Sequence, residues 1–185
     1  MKSHLLRTST AVLVTSLMLV ACASTPATQF YTLEPLATSA ATSATVAIRI
    51  GHVTIPELVD RPQMVLRAGA NQVSLIEQRR WAESLRSAVA RVVTANLTTP
   101  GSAVAAATTT VDIDVGRFDS QLGVAVDLAA HWRIRPATDS GTGRGGSMSW
   151  HEPVSGNDYA DLAAAHSRAL AALRRHIAAS VEARP

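Results

Sequence analysis

The chain has 185 residues, of which 47% are hydrophobic, 17% charged and only 4% aromatic, which suits one domain that buries its own core. Its single cysteine excludes an internal disulfide framework and any cysteine-built zinc site. The formal net charge of +3 raises a nucleic-acid reading that depends on which basic residues the mature chain keeps.

The first element is an address. Lys2 and Arg7 precede an apolar run from Ala11 to Val20, and small residues lead from there to Cys22. Ten residues at about 1.5 Å each fall far short of a hydrocarbon core of roughly 30 Å, so the run is no transmembrane helix. Positive start, short apolar stretch and small residues are the layout of a secretory signal peptide, here residues 1–21. The ending Leu19-Val20-Ala21-Cys22 resembles a bacterial lipobox, which implies cleavage before Cys22 and a covalent lipid on that residue. The bland alternative is a free buried cysteine behind an ordinary signal peptide. At about 0.8 kcal/mol per buried CH₂, one acyl chain is marginal, whereas the three usual for such lipoproteins anchor almost permanently. Ala23 and Ser24 lack the aspartate that, in the enterobacterial sorting rule this resembles, retains a lipoprotein at the inner membrane. The expected location is the periplasmic face of the outer membrane.

Loss of Lys2 and Arg7 with the leader takes the basic residues from 17 to 15, against 14 acidic ones, so the mature charge is about +1. The arginines are spread out and carry no aromatic interleaving, so no nucleic-acid partner is expected.

Residues 22–29 form a lipidated cysteine and polar tether, and residues 30–185 one domain. Phe30 to Leu33 reads as a first strand, and the small-residue stretch Ala37–Thr45 as a linker. Val46–Ile55 is rich in β-branched residues and ends at Pro56, which marks a strand. Met64–Arg67 and Gln72–Ile76 are short strands around Ala68-Gly69-Ala70-Asn71. From Trp81 the apolar spacing becomes helical through Leu85, Ala88, Val89 and Val92, with Arg79 and Glu83 as an i, i+4 pair and Thr99-Pro100-Gly101 as the stop. Val111–Val115 alternates strictly. Val124–Ile134 and Ser147–Val154 flank a Gly-rich loop, Ala137–Gly146, whose midpoint near Gly141 would set Trp132 opposite Trp150. The last helix is expected from Asp158 to Val181, with Ser155, Asn157 and Asp158 as capping residues. This order predicts a single α/β or α+β domain, a mixed β-sheet covered by two main helices.

The sharper chemical motifs weigh lightly. Gly141–Gly146 matches G-x-G-x-x-G, but a strand rather than a helix follows it, so a hairpin loop is the better reading than a dinucleotide site. His131 and His151 are candidate cross-strand neighbours, yet no third ligand converges on them and no metal is expected. His166 lies on the apolar stripe of the last helix and reads as a core or interface histidine. There is no G-x-S-x-G elbow, and a lipid-blocked cysteine is no nucleophile, so no enzyme activity is expected. Asp60-Arg61-Pro62-Gln63 lies between Pro56 and the next strand: either a rigid loop offered to a partner, or a turn whose charges pair within the domain.

Ile55-Pro56-Glu57-Leu58-Val59-Asp60-Arg61-Pro62-Gln63-Met64-Val65, then Trp81-Ala82-Glu83-Ser84-Leu85, resemble the PqiC family of ABC-type transport auxiliary lipoproteins. Further matches are Phe30–Pro35, Val115-Gly116-Arg117-Phe118-Asp119 and Asp158-Tyr159-Ala160, which together cover the mature chain in order. Ser84 departs from the family, which often has proline there; one turn inside a helix, that change should be silent. The resemblance implies a three-layer α/β sandwich and a noncatalytic lipoprotein under the outer membrane. It also implies a partner, an MCE-domain protein whose tube carries phospholipid-like cargo across the periplasm, and admits a homo-oligomeric ring capping that tube. Asp60, Arg61, Pro62 and Gln63 are the candidate docking residues, and the covalent lipid on Cys22 takes the place of any cofactor. The alternative is a periplasmic lipid carrier or chaperone with its own apolar cavity.

Overall fold

Alternating apolar and polar residues leave one sheet face dry and the other wet. Val111, Ile113 and Val115 are buried while Asp114 is exposed, and Val126, Leu128, Ala130, Trp132 and Ile134 repeat the pattern one strand over. The computed structural model describes residues 26–36, 47–97, 108–135 and 143–183. In chain order these form β1 (Gln29–Tyr31), β2 (Ala47–Thr54), β3 (Gln63–Gly69), β4 (Gln72–Trp81), α1 (Leu85–Leu97), β5 (Thr108–Gln121), β6 (Ala125–Arg135), β7 (Arg144–Pro153) and α2 (Tyr159–Glu182). The signal peptide, Cys22, the 37–45 linker, the 99–101 helix stop and the tip of the Gly-rich loop lie outside the described residues.

The fold is a single α+β domain with two main helices, and its strands divide between two sheets. A four-stranded sheet has the order β2-β5-β6-β7, with β2 parallel to β5 and the other pairs antiparallel. A three-stranded sheet has the order β1-β4-β3, with β1 parallel to β4. Pro56 and Pro62 explain the split of the expected single sheet, because neither has an N–H to extend a ladder from β2 into β3. The β3–β4 hairpin therefore pairs with itself and with β1.

Both helices cover the inner face of the larger sheet: α1 packs on β2, and α2 on β6, β7 and α1. Residues 32–36 bridge the two helices. The Leu33 carbonyl accepts from Arg91 on α1, and the Glu34 N–H donates to Ser167 on α2. Enclosed on so many sides, α2 buries nearly every residue from Leu162 to Arg174. Full burial of Leu162, Leu170, Leu173 and Ile177 contributes roughly 1.5–3 kcal/mol each. Asp158 caps this helix as expected, its carboxylate accepting the Asp161 N–H at 2.7 Å.

Three local expectations give way to longer-range pairing. Trp81 ends β4 rather than opening a helix: its N–H bonds the Pro62 carbonyl and that of Ala82 bonds Tyr31, which holds the chain extended. Helix α1 then starts at Leu85 with Ser84 as its N-cap, the Ser84 hydroxyl accepting the Ser87 N–H at 3.2 Å, so Ser84 is a capping residue and not one turn inside. Arg79 accordingly lies on β4, and Glu83 pairs with Arg91 at 2.6 Å instead. In the β6–β7 hairpin Trp132 faces Gly146, and Trp150 faces Leu128. The indole explains this register, since a Cβ on Gly146 would lie 2.4 Å from Trp132 Cζ2.

Candidate functional site

The loop between β2 and β3 is built from its prolines outward. The Pro56 carbonyl accepts the N–H groups of Val59 and Asp60 at 3.0 and 3.1 Å, which closes a tight turn around the buried Val59. Leu58, at the turn's crest, stays 40% exposed. Asp60 reaches sideways to Arg86 on α1 at 2.6 Å, and Gln63 donates to Glu77 on β4 at 3.1 Å. The Arg61 guanidinium reaches back to the Glu57 carbonyl, while the Pro62 carbonyl anchors Trp81. The four expected docking residues thus form one contiguous rim. Asp60 and Gln63 hold the rim rigid, and Leu58 and Pro62 are what it turns outward.

Beside this rim runs a groove of about 530 Å³, with Pro56, Leu58 and Val59 on one wall and Arg67, Arg117 and Asp119 on the other. Sequence reasoning missed the ion-pair relay that forms the second wall. Asp119 accepts from Arg67 at 2.6 Å and from Arg117 at 2.9 Å. Arg117 also reaches Asp127 at 3.0 Å, which in turn meets His151 Nδ1 at 2.8 Å. The relay ties β3 of the small sheet to β5, β6 and β7 of the large one.

The histidines separate. His131 faces Ser147 and His151 faces Asp127, so they are not cross-strand neighbours. On the open face of the large sheet, His52, Asp112, Asp114 and His131 line a groove of about 350 Å³. The His52 backbone N–H, followed by the Arg135 guanidinium, holds the Asp112 carboxyl below its usual range against the cost of burial. Thr54 bonds Asp114. Among the described residues no group of three or more His, Cys, Asp or Glu is placed to hold a metal ion. His166 is a core residue between the rings of Trp81 and Phe118, at centroid distances of 5.3 and 4.4 Å, and burial pushes its pKa down to about 3. Gly145 and Gly146 lie inside β7 and no helix follows them directly, so the geometry that receives a pyrophosphate does not form.

What decides among these features is a family match over residues 31–178, to the model of the ABC-type transport auxiliary lipoprotein component. The chain belongs to this family. The auxiliary lipoprotein also shares its fold with two solved structures. One is an uncharacterized protein, 12% identical, with a TM-score of 0.68 over 84% of this chain and 99% of that one. The other is a DUF330 family protein from Xanthomonas campestris, 19% identical, with a TM-score of 0.63 over 80% of this chain and 92% of that one. Among curated proteins none matches. No helix of the described residues is long and apolar enough to cross a membrane. For an auxiliary lipoprotein, the loop rim and its groove are the candidate contact surface.

Proposed function

We propose that this auxiliary lipoprotein is a noncatalytic component of an MCE-type intermembrane lipid transport system. Its lipid on Cys22 holds it at the periplasmic face of the outer membrane, and the domain docks the periplasm-spanning MCE protein there. The observation that carries this reading is the family match over residues 31–178, directly behind a lipobox-like Leu19–Cys22. The rim of Asp60, Arg61, Pro62 and Gln63 is the docking element, with Leu58 and Pro62 as its outward contacts and the internal ties as the source of its rigidity. A prepaid geometry of this kind lowers the ordering cost of association.

The lipid-carrier alternative calls for an enclosed apolar cavity. The loop groove carries Arg67, Arg117 and Asp119, the sheet-face groove Asp112 and Asp114, and a third groove beside Phe30 is edged by Glu34 and Arg168, which favours docking over cargo storage. A photo-crosslinking residue at position 62, in the lipidated protein within its native envelope, is expected to trap an MCE-domain protein. Recovery of no such partner from position 62 or 58 would overturn this reading.

A further inference from the structure

The five exposed large hydrophobic side chains of the described residues are not evenly spread. Phe30, 64% exposed, and Leu36, 36% exposed, line one groove of about 460 Å³. Ala160 and Ala164, one helical turn apart on α2, line the same groove and offer it only methyl groups. The aromatic residues gather there as well. Both tyrosines of the chain and one of its two phenylalanines lie at this end, Tyr31 and Tyr159 with ring centroids 6.2 Å apart. Arg79 lies 5.2 Å above the Tyr159 ring, Arg80, the register partner of Phe30, pairs with Glu77 at 3.4 Å, and Glu34 and Arg168 give the groove a mixed-charge margin. An exposed apolar side chain beside tyrosines and arginines is the composition of a surface that sits at a lipid–water boundary.

The position of this patch in the chain says which surface it meets. Phe30 is eight residues after Cys22, so even a fully extended tether of about 3.5 Å per residue spans no more than ~28 Å. We infer that the Phe30–Leu36 patch is a membrane-contact face that rests on the phospholipid bilayer, with Phe30 at the headgroup boundary and Leu36 beside it. The inference rests on the reading of Cys22 as the lipidated residue. It adds an orientation: the domain stands on this end and leaves its other surfaces to the periplasm.

The test uses the full lipidated protein on vesicles of phosphatidylethanolamine and phosphatidylglycerol. Because Cys22 is the only cysteine, Phe30→Cys supplies a unique thiol for an environment-sensitive fluorophore. Ala179→Cys, exposed and ~22 Å from Ala164 along the same helix, is the control. Brominated phospholipids are expected to quench the label at position 30 several-fold more strongly than at position 179, with a blue shift at position 30 alone. Protein that floats with the vesicles but shows equal quenching at both positions would overturn the contact face and leave the anchor standing. Protein that does not float would overturn the anchor, and the contact face with it.

Discussion

Between the rings of Trp81 and Phe118, the imidazole of His166 is buried, and its Nδ1 has no hydrogen-bond partner among the described residues. Protonation there would place a charge against ring edges and methyl groups, which is why burial takes its pKa from 6.5 to about 3. An unfolded chain binds that proton more readily than the folded one, so stability rises with pH between those two values. The contribution is complete above the unfolded value and is lost as pH falls toward 3, with a slope of up to ~1.4 kcal/mol per pH unit. His166→Leu is therefore expected to flatten the fall in urea midpoint on acidification. An unchanged acid slope in that variant would assign the loss to other groups, such as the hydrogen-bonded Asp112 carboxylate, whose depressed pKa gives a fall in the same direction at lower pH.

Elements were legible in proportion to how local their determinants are. The alternation in β5 and the Asp158 cap of α2 are written within a few residues, and both stand where the pattern puts them. Helix α1 is readable as an element but not at its start, because the spacing of Trp81 to Leu85 continues a helical pattern across what is the end of a strand. Backbone bonds to Pro62 and Tyr31, distant in sequence, settle that boundary. The β6–β7 register is illegible for a similar reason: a long loop fixes no pairing, and the choice falls to the fit of the Trp132 indole over Gly146. Gly146→Ala tests that choice. It adds strand propensity but drives a methyl into a ring that is 4% exposed and has little room to move, so a loss of ~1–3 kcal/mol is expected from denaturation midpoints. An unchanged midpoint would show that the indole yields and that the register has another cause. The candidate rim was legible as a charged loop between prolines, while its partners Arg86 and Glu77 were not, since they arrive from other elements.

At the scale of the whole molecule, the reading of Cys22 as an anchor predicts that anchoring and folding are separable. The core of the described residues begins at Tyr31 and Leu33 and closes around α2, which places that buried packing after the tether. Among the described residues, in contrast, the membrane has little to hold. A mature charge of about +1 gives no general attraction to anionic lipid, and Phe30 and Leu36 contribute at most ~1.5–3 kcal/mol each even if fully buried, which corresponds to roughly millimolar binding. Such a patch orients a domain that is already tethered but does not retain one that is not. The three acyl chains proposed for Cys22, at about 0.8 kcal/mol per CH₂, would exceed that by an order of magnitude. Cys22→Ala is accordingly expected to keep a normal unfolding midpoint and circular dichroism while the protein moves from the membrane pellet to the soluble periplasmic fraction after a carbonate wash. A variant that stayed in the pellet would place the anchor elsewhere in the chain, and one that unfolded would make the lipidated segment part of the fold. Retention of structure with loss of the membrane assigns the two tasks to different parts of one short chain, with the eight residues from Cys22 to Phe30 setting how far apart they act.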